Sequence, residues 1–333
     1  MATTDPVGTA LPQDATQSRP FVGVAFLLLA TTIFPIQDVI IKSLSGEFAV
    51  HQIVVWRGLF ALPIVAVFAW YEGTRWPLKI GSIWLQLFRA ASAFTSYLVY
   101  YLALATLGLA ETAAITFSTP IFVTLLAMVF LGEKIGAFRW FAVALGLLGV
   151  VIAVNPGSGV FEPAAFLALL AAISYAISII ATRKLGNRTN GGTMTLITVV
   201  FFMAAGGVLA LVFSQLDSSS AHPSLAFLYR GWTTPTSQDW LMLMALGAIS
   251  GVGFFALSQA YRLAEASVVT PFEYSYLPWS VFWGIMIFGT YPGWNTWVGI
   301  VLIVGAGLLI VFRETLRGRK VVRRRGLGVL RQR

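Results

Sequence analysis

The stretch WLQLFRAASAFTSYLVYYLALATLGLAETAAITFSTPIFVTLLAMVFL, residues 84–131, decides how often this chain crosses a bilayer. Its only charges are Arg89 and Glu111. As a single helix it would run about 72 Å at ~1.5 Å per residue, against a hydrocarbon core of ~30 Å. It must therefore turn, and TLGLAE at 106–111 is its one break. Working outward from that turn gives ten apolar spans: 21–42, 49–70, 82–105, 109–131, 138–155, 162–182, 192–214, 239–261, 266–289 and 294–312. The chain is 58% hydrophobic and 11% charged, where a soluble domain carries about 25% charged residues. These features predict an all-α polytopic membrane protein with ten transmembrane helices.

The basic residues test the count. If both termini are cytoplasmic, 18 of the 22 Lys and Arg fall on that side. Only Lys42 and Arg230 lie on the other, and Arg57 and Arg89 lie within spans. Positive loops stay inside, so this bias supports ten crossings with N- and C-termini cytoplasmic. Residues 1–20 are polar and proline-bearing, with no basic n-region or cleavage site. They read as a disordered cytoplasmic tail ahead of an uncleaved first helix. Residues 313–333 form a cytoplasmic tail with nine Lys or Arg and one Glu, which supplies +8 of the net +9. A basic run after a membrane helix marks the cytoplasmic face and can hold anionic lipid, so nucleic acid is not the expected partner.

The halves look related. AFLLLATTI (25–33) resembles AFLALLAAI (165–173), and Pro120 and Gly149 match Pro278 and Gly307. Residues 21–155 hold five spans and 156–312 hold five. Five is odd, so the second copy enters from the opposite side, as in the inverted repeats of many secondary transporters.

Two stretches then carry a family resemblance. ETAAITFSTPIFVTLLAMVFLGEKIGAFRWFAVALGLLGVVIAVNPG (111–157) resembles the fourth and fifth helices of an EamA-type repeat, of the drug/metabolite transporter superfamily. There a proline lies mid-helix, LGE follows at the helix end and a Gly-rich helix closes the repeat. VVWRGLFALP (54–63) is similar to the family's second helix with its embedded arginine. The second copy departs from the pattern, with GTYP (289–292) where the first has LGEK (131–134), so its acid is absent. The resemblance covers about 21–312. It implies a bacterial inner-membrane location and transport of small organic solutes. Helices 1–4 and 6–9 would line the path.

Charges inside spans cost about 2.5–3.5 kcal/mol each and so mark function or pairing. Arg57 and Glu273 fall at similar depths, roughly 10–12 Å into the core, in different halves. They read either as a substrate site, with Arg57 on a carboxylate or phosphate and Glu273 on an amine or proton, or as a structural ion pair. Asp38 is a candidate coupling site, or a local partner of Lys42 at i, i+4. Glu111 suits a helix N-terminus, and Arg89 can snorkel to the nearer interface. Pro35, Pro120, Pro271 and Pro278 are candidate hinges or kinks, since each frees a carbonyl one turn earlier. Tyr97, Tyr101, Tyr274, Tyr276 and Trp279 are candidate substrate-binding aromatics, beside Tyr100. Trp70, Trp76, Trp84, Trp240 and Trp294 read as interface anchors. Gly247 and Gly251 form a GxxxG contact motif.

There is no cysteine and no hydrolase, protease or P-loop signature, so no catalytic residue, metal or cofactor is expected. The reading is a secondary-active carrier of a small organic metabolite, a monomer or homodimer, leaning to an amino acid or another aromatic or zwitterionic solute. The resemblance adds uptake of riboflavin or S-adenosylmethionine as the alternative. From other classes, an intramembrane enzyme or lipid scramblase and a membrane receptor stay open.

Overall fold

In the computed structural model, the described residues are 20–74, 82–132, 136–154, 163–185, 189, 191–213, 223–263 and 272–309. Both tails, Trp76 and Pro271 lie outside them. The described chain is helical: α1 Pro20–Leu44, α2 Val50–Tyr71, α3 Ile83–Leu104, α4 Leu109–Thr116, α5 Thr119–Leu131 and α6 Ala137–Val154. Then follow α7 Ala164–Leu185, α8 Gly191–Phe213, α9 Pro223–Tyr229, α10 Ser237–Leu263, α11 Tyr276–Phe288 and α12 Trp294–Leu309. Among the described residues, six stretches are long and apolar enough to cross a bilayer: Phe21–Leu44, Val50–Tyr71, Leu109–Phe130, Ala164–Thr182, Gly191–Phe213 and Ser237–Leu257. The 22-residue α3 is absent from that set because Gln86, Arg89, Ser92 and Ser96 dilute its apolar surface.

Two of the sequence spans are interrupted rather than kinked. The span at 109–131 splits into α4 and α5 at Phe117–Ser118, just before Pro120. Pro120 cannot donate to the carbonyl of Thr116, and the Thr119 hydroxyl donates to it instead at 2.8 Å. The Ser118 hydroxyl caps Ile115 at 2.6 Å. The later span breaks at Tyr274–Ser275, just before Pro278. There Leu277 N–H takes the Tyr274 carbonyl that proline leaves free, at 3.1 Å. The helix after each break has 13 residues and ends on a left-handed glycine, Gly132 (φ 67°) or Gly289 (φ 62°). Glycine holds that conformation without a Cβ penalty. Pro35 behaves differently: it sits buried inside an unbroken α1.

The two helix series pack in exchange. Helix α1 packs on α10 and α11, while α7 packs on α3, α4 and α5. Helix α2 packs on α8 and α10, and α8 on α2 and α3. Each break is held by the first helix of the opposite series. Thr31 of α1 shares a 2.7 Å hydrogen bond with Ser275, and the Thr119 hydroxyl reaches the Ala172 carbonyl of α7 at 3.5 Å.

Glycines set the closest approaches. A Cβ on Gly251 would stand 2.7 Å from Ile64 Cγ2, and one on Gly247 would stand 2.9 Å from the Phe60 carbonyl carbon. The GxxxG motif therefore seats α10 directly on α2. On the other side of α2, Gly206 lies against the His51 carbonyl and Gly192 against the Ala69 backbone. Gly149 and Gly299 join α6 to α12 in the same way.

At one end of the bundle, the short α9 and the irregular segment 230–236 fold over the start of α2. Arg230 donates to the carbonyls of Ser45 and Phe48, and the Gln52 amide clasps both backbone groups of Thr233 at 2.6 and 3.1 Å. Trp240 packs edge-on against Trp56 at 4.7 Å beside this cap. Trp70, Trp84 and Trp294 do stand exposed at helix ends.

Candidate functional site

Arg57 sits on α2, one turn after the cap, at a point where α8 and α10 close over the helix. It is 3% exposed. One guanidinium nitrogen donates to the Tyr101 hydroxyl. The remaining contacts are aromatic faces: Tyr97 at 5.0 Å, Tyr101 at 5.6 Å and Phe202 at 5.9 Å. Among the described residues its direct contacts are thus a hydroxyl and rings, with no carboxylate. Guanidinium carries five donors, so most of its hydrogen-bonding capacity is held by neither these rings nor Tyr101. Beside it, Gly58, Thr198, Ser250 and Phe254 line a cavity of ≈ 20 Å³. A second cavity of similar size, toward Glu72 and Thr195, shares Phe254 as a wall. Each has room for about one water, whereas a metabolite site needs roughly 300–1,000 Å³. The α2–α8–α10 seam is shut in this conformation.

A second buried charge stands nearby. Asp38 of α1 is 4% exposed. One of its oxygens accepts from the Tyr100 hydroxyl at 2.6 Å and from the Tyr276 hydroxyl, and these two hydroxyls are 3.0 Å apart. Arg57 is close enough to act on Asp38 electrostatically. The Asp38–Lys42 pair expected from i, i+4 spacing is not formed. Lys42 turns away and donates to the carbonyls of Leu104 and Leu107, each at 2.7 Å, at the end of α3. Two bare carbonyls at a helix C-terminus attract an ammonium, and Asp38 is left to the tyrosines.

The two clusters are contiguous. Gln37, next to Asp38, donates to Tyr101 at 3.4 Å and accepts from Ser250 of α10 at 2.6 Å. Gln37 and Ser250 were missing from the sequence-based site, although a glutamine beside an aspartate inside a span was a readable signal, and Tyr100 stood there only beside the candidate aromatics. Of the candidate substrate-binding aromatics, Tyr97 and Tyr101 lie against Arg57, and Tyr276 lies on Asp38. Glu273 lies just before the Tyr274–Ser275 break, and Tyr274 lies in it. Glu273 acts electrostatically on Tyr175 of α7 and on Tyr274. Tyr274 packs tilted on Phe117 at 5.6 Å, in a small core with Ala113 and Leu277. Trp279 lies apart from these contacts: it is 36% exposed and stands edge-on to Phe282 at 6.0 Å.

Arg89 is a correction. It does not snorkel to an interface but is buried against α8, donating to the Met194 carbonyl and the Thr198 hydroxyl, each at 2.8 Å, and to Gln86 at 3.2 Å. Arg89→Ala would leave the Gln86 oxygen, the Met194 carbonyl and Thr198 without this donor. We expect a loss of about 1–3 kcal/mol of stability, read as a lower thermal-unfolding midpoint in detergent, while Arg89→Lys recovers part of it. Glu111 caps α4 through the Gly108 N–H at 3.2 Å.

Apolar helices closed around a buried polar centre define a multi-pass membrane protein. The profile of the EamA-like transporter family matches residues 21–155 and 162–312, and the chain belongs to that family. It is 28% identical to a riboflavin transporter of Rhizobium johnstonii over 91% of this chain and 95% of that one. It is 27% identical to an S-adenosylmethionine uptake transporter of Rickettsia conorii, over 88% and 93%. A crystal structure at 16% identity shares the fold, with a TM-score of 0.58 over 87% of this chain and 95% of the other. The chain is a transporter of small molecules.

Proposed function

We propose that this protein is a secondary carrier for a flat-ringed metabolite bearing an anionic or hydrogen-bond-accepting group. It would work by alternating access between two inverted five-helix halves, crossing a bacterial inner membrane ten times with both termini cytoplasmic. The exchange of packing partners between the helix series and the paired 13-residue helices after each break support the inverted repeat. The Lys and Arg bias supports the orientation. The observation that carries the solute class is Arg57: a buried guanidinium whose contacts are rings and one hydroxyl. A planar fork accepts a carboxylate, phosphate or ring carbonyl in two parallel bonds, and Tyr97, Tyr101 and Phe202 offer faces on which a flat ring stacks. Glu273, in the opposite half, is assigned to the amine of a zwitterionic solute. Riboflavin and S-adenosylmethionine both satisfy the ring-plus-acceptor requirement, and both occur in the names of relatives.

Because the seam is shut around a water-sized space, the halves must part to admit a metabolite. A ligand that selects the folded state raises the unfolding temperature as its concentration exceeds Kd. Thermal-shift measurements on the purified carrier with riboflavin, S-adenosylmethionine and the aromatic amino acids test the proposal. We expect at least one of these ring-bearing compounds to raise the midpoint. A response confined to aliphatic, ringless solutes would overturn the assignment.

A further inference from the structure

We infer that Asp38, with Tyr100 and Tyr276, is the proton-binding site that couples solute transport to the proton gradient, and that its proton controls whether α11 stays locked to α1. This deepens the proposed function and rests on the chain being an alternating-access carrier. The geometry carries it. Asp38 comes from α1, Tyr100 from α3 and Tyr276 from the first residue of α11, directly after the Tyr274–Ser275 break. The three oxygens form a closed cluster in which both phenols donate to the same carboxylate oxygen. Among the described residues no lysine or arginine bonds directly to Asp38: Lys42 is committed to the α3 carbonyls, and Arg57 donates to Tyr101. A permanently ionised buried carboxylate is ordinarily held by a bonded cation. One held by two hydroxyls can exist with or without its proton, because a phenol oxygen can also accept.

The proton balance follows. Ionised Asp38 takes two hydrogen bonds and so ties the two halves together. When one proton binds, the carboxyl O–H donates to a tyrosine oxygen, which turns from donor to acceptor. The clasp then exchanges charge-assisted bonds to a carboxylate for weaker neutral ones, and the attraction of Arg57 for Asp38 is lost. The groups facing Asp38 are Tyr97, Tyr100 and Tyr101 from α3, Arg57 from α2 and Tyr276 from α11. From α10 the neighbour in this network is Ser250, through Gln37, and it does not titrate. The broken segment at 274–275 is where α11 can swing once Tyr276 is released. Helix α11 needs no unfolding for that motion, because its last turn is independently closed by Gly289.

The chain contains no cysteine, so spin labels can be placed at will on the full-length carrier. Labels at Val22 of α1 and Met286 of α11, both on exposed faces, report the α1–α11 distance by pulsed electron resonance in nanodiscs. Between pH 8 and pH 5 we expect the wild type to shift population from the short to the long distance. Asp38→Asn, neutral at every pH, should show the long distance throughout. Tyr276→Phe, which keeps the carboxylate but not the clasp, should lose most of the short-distance population at pH 8. In parallel, infrared titration of the wild type should show a protonated-carboxyl band appearing over the same pH range, and Asp38→Glu should displace that band. A wild-type distance unmoved by pH, or a carboxyl band that survives in Asp38→Asn, overturns the assignment. If Asp38→Asn does not fold, the infrared displacement in Asp38→Glu and the Tyr276→Phe distances decide. These readouts need no solute, so their failure leaves the Arg57 assignment standing, and failure of solute binding leaves them interpretable.

Discussion

Arg57→Ala should abolish solute binding while leaving the solute-free carrier about as stable as the wild type. The two halves of that expectation come from the same geometry. A bidentate, charge-assisted contact contributes roughly 1.5–3 kcal/mol per bond, and tenfold in affinity is about 1.4 kcal/mol. Losing the fork should therefore weaken binding at least about 100-fold. Without solute, however, Arg57 is a buried charge that donates to a single hydroxyl and rests on rings. Such a charge costs desolvation, against which stand its contacts with rings and one hydroxyl and its attraction for Asp38, so removing it should cost the resting fold little. Were Arg57 half of a structural ion pair, the outcome would differ: alanine would strand a buried carboxylate and lower the unfolding midpoint by several degrees. Arg57→Lys separates charge from shape. It keeps the positive charge but not the planar fork, and should lose about tenfold in affinity for a bidentate acceptor. Measuring solute affinity and solute-free unfolding temperature for both variants checks the claim; a destabilised alanine variant with normal affinity would sink it.

How much of this was readable in the sequence differs by level. The positions of the helices were, because runs near 20 apolar residues have one use. The turn at 106–111 falls as expected between α3 and α4. The contact role of Gly247 and Gly251 was readable too, since small residues one turn apart mark close helix approach. Which way each helix faces was not. A span that is apolar all round gives little facing signal, so Tyr97 and Trp279 looked equivalent, although one touches Arg57 and the other stands partly exposed. Partner choice was also hidden. The i, i+4 rule paired Asp38 with Lys42 from local spacing, but the bare carbonyls at the end of α3 offer the ammonium a better site. The breaks at 117–118 and 274–275 look from sequence like proline kinks. What turns them into breaks is the nearby hydroxyl and amide donors that take the freed carbonyls, together with the grip of Thr31 and Ala172 from the opposite series. The seven-residue α9 escapes a search for long apolar runs altogether.

The seam that holds Arg57 in place gives the largest expected effect on folding. Gly247→Val should prevent the carrier from reaching its native state, and Gly247→Ala should already lower the unfolding midpoint. A Cβ at 247 meets not only the Phe60 side chain but its carbonyl carbon at 2.9 Å and the Ala61 nitrogen at 3.0 Å. Those are backbone atoms, so no rotamer change relieves the overlap, and α10 must move away from α2. One turn on, Gly251 repeats the contact against Ile64, so the helices cannot pivot about 247 without opening the next contact. Overpacking of a well-filled core typically costs about 1–3 kcal/mol. Two backbones forced apart along a whole seam should exceed that for valine. Gly305 is the control, because nothing lies within 4 Å of the position its Cβ would take. Gly305→Ala should unfold at the wild-type temperature or slightly above it, since alanine favours helix over glycine by about 1 kcal/mol. The two alanine variants, compared by size-exclusion profile and thermal unfolding in the same detergent, make the test. Equal stability of Gly247→Ala and Gly305→Ala would mean that α10 does not seat on α2 through these glycines. The closed seam beside Arg57 would then need another origin.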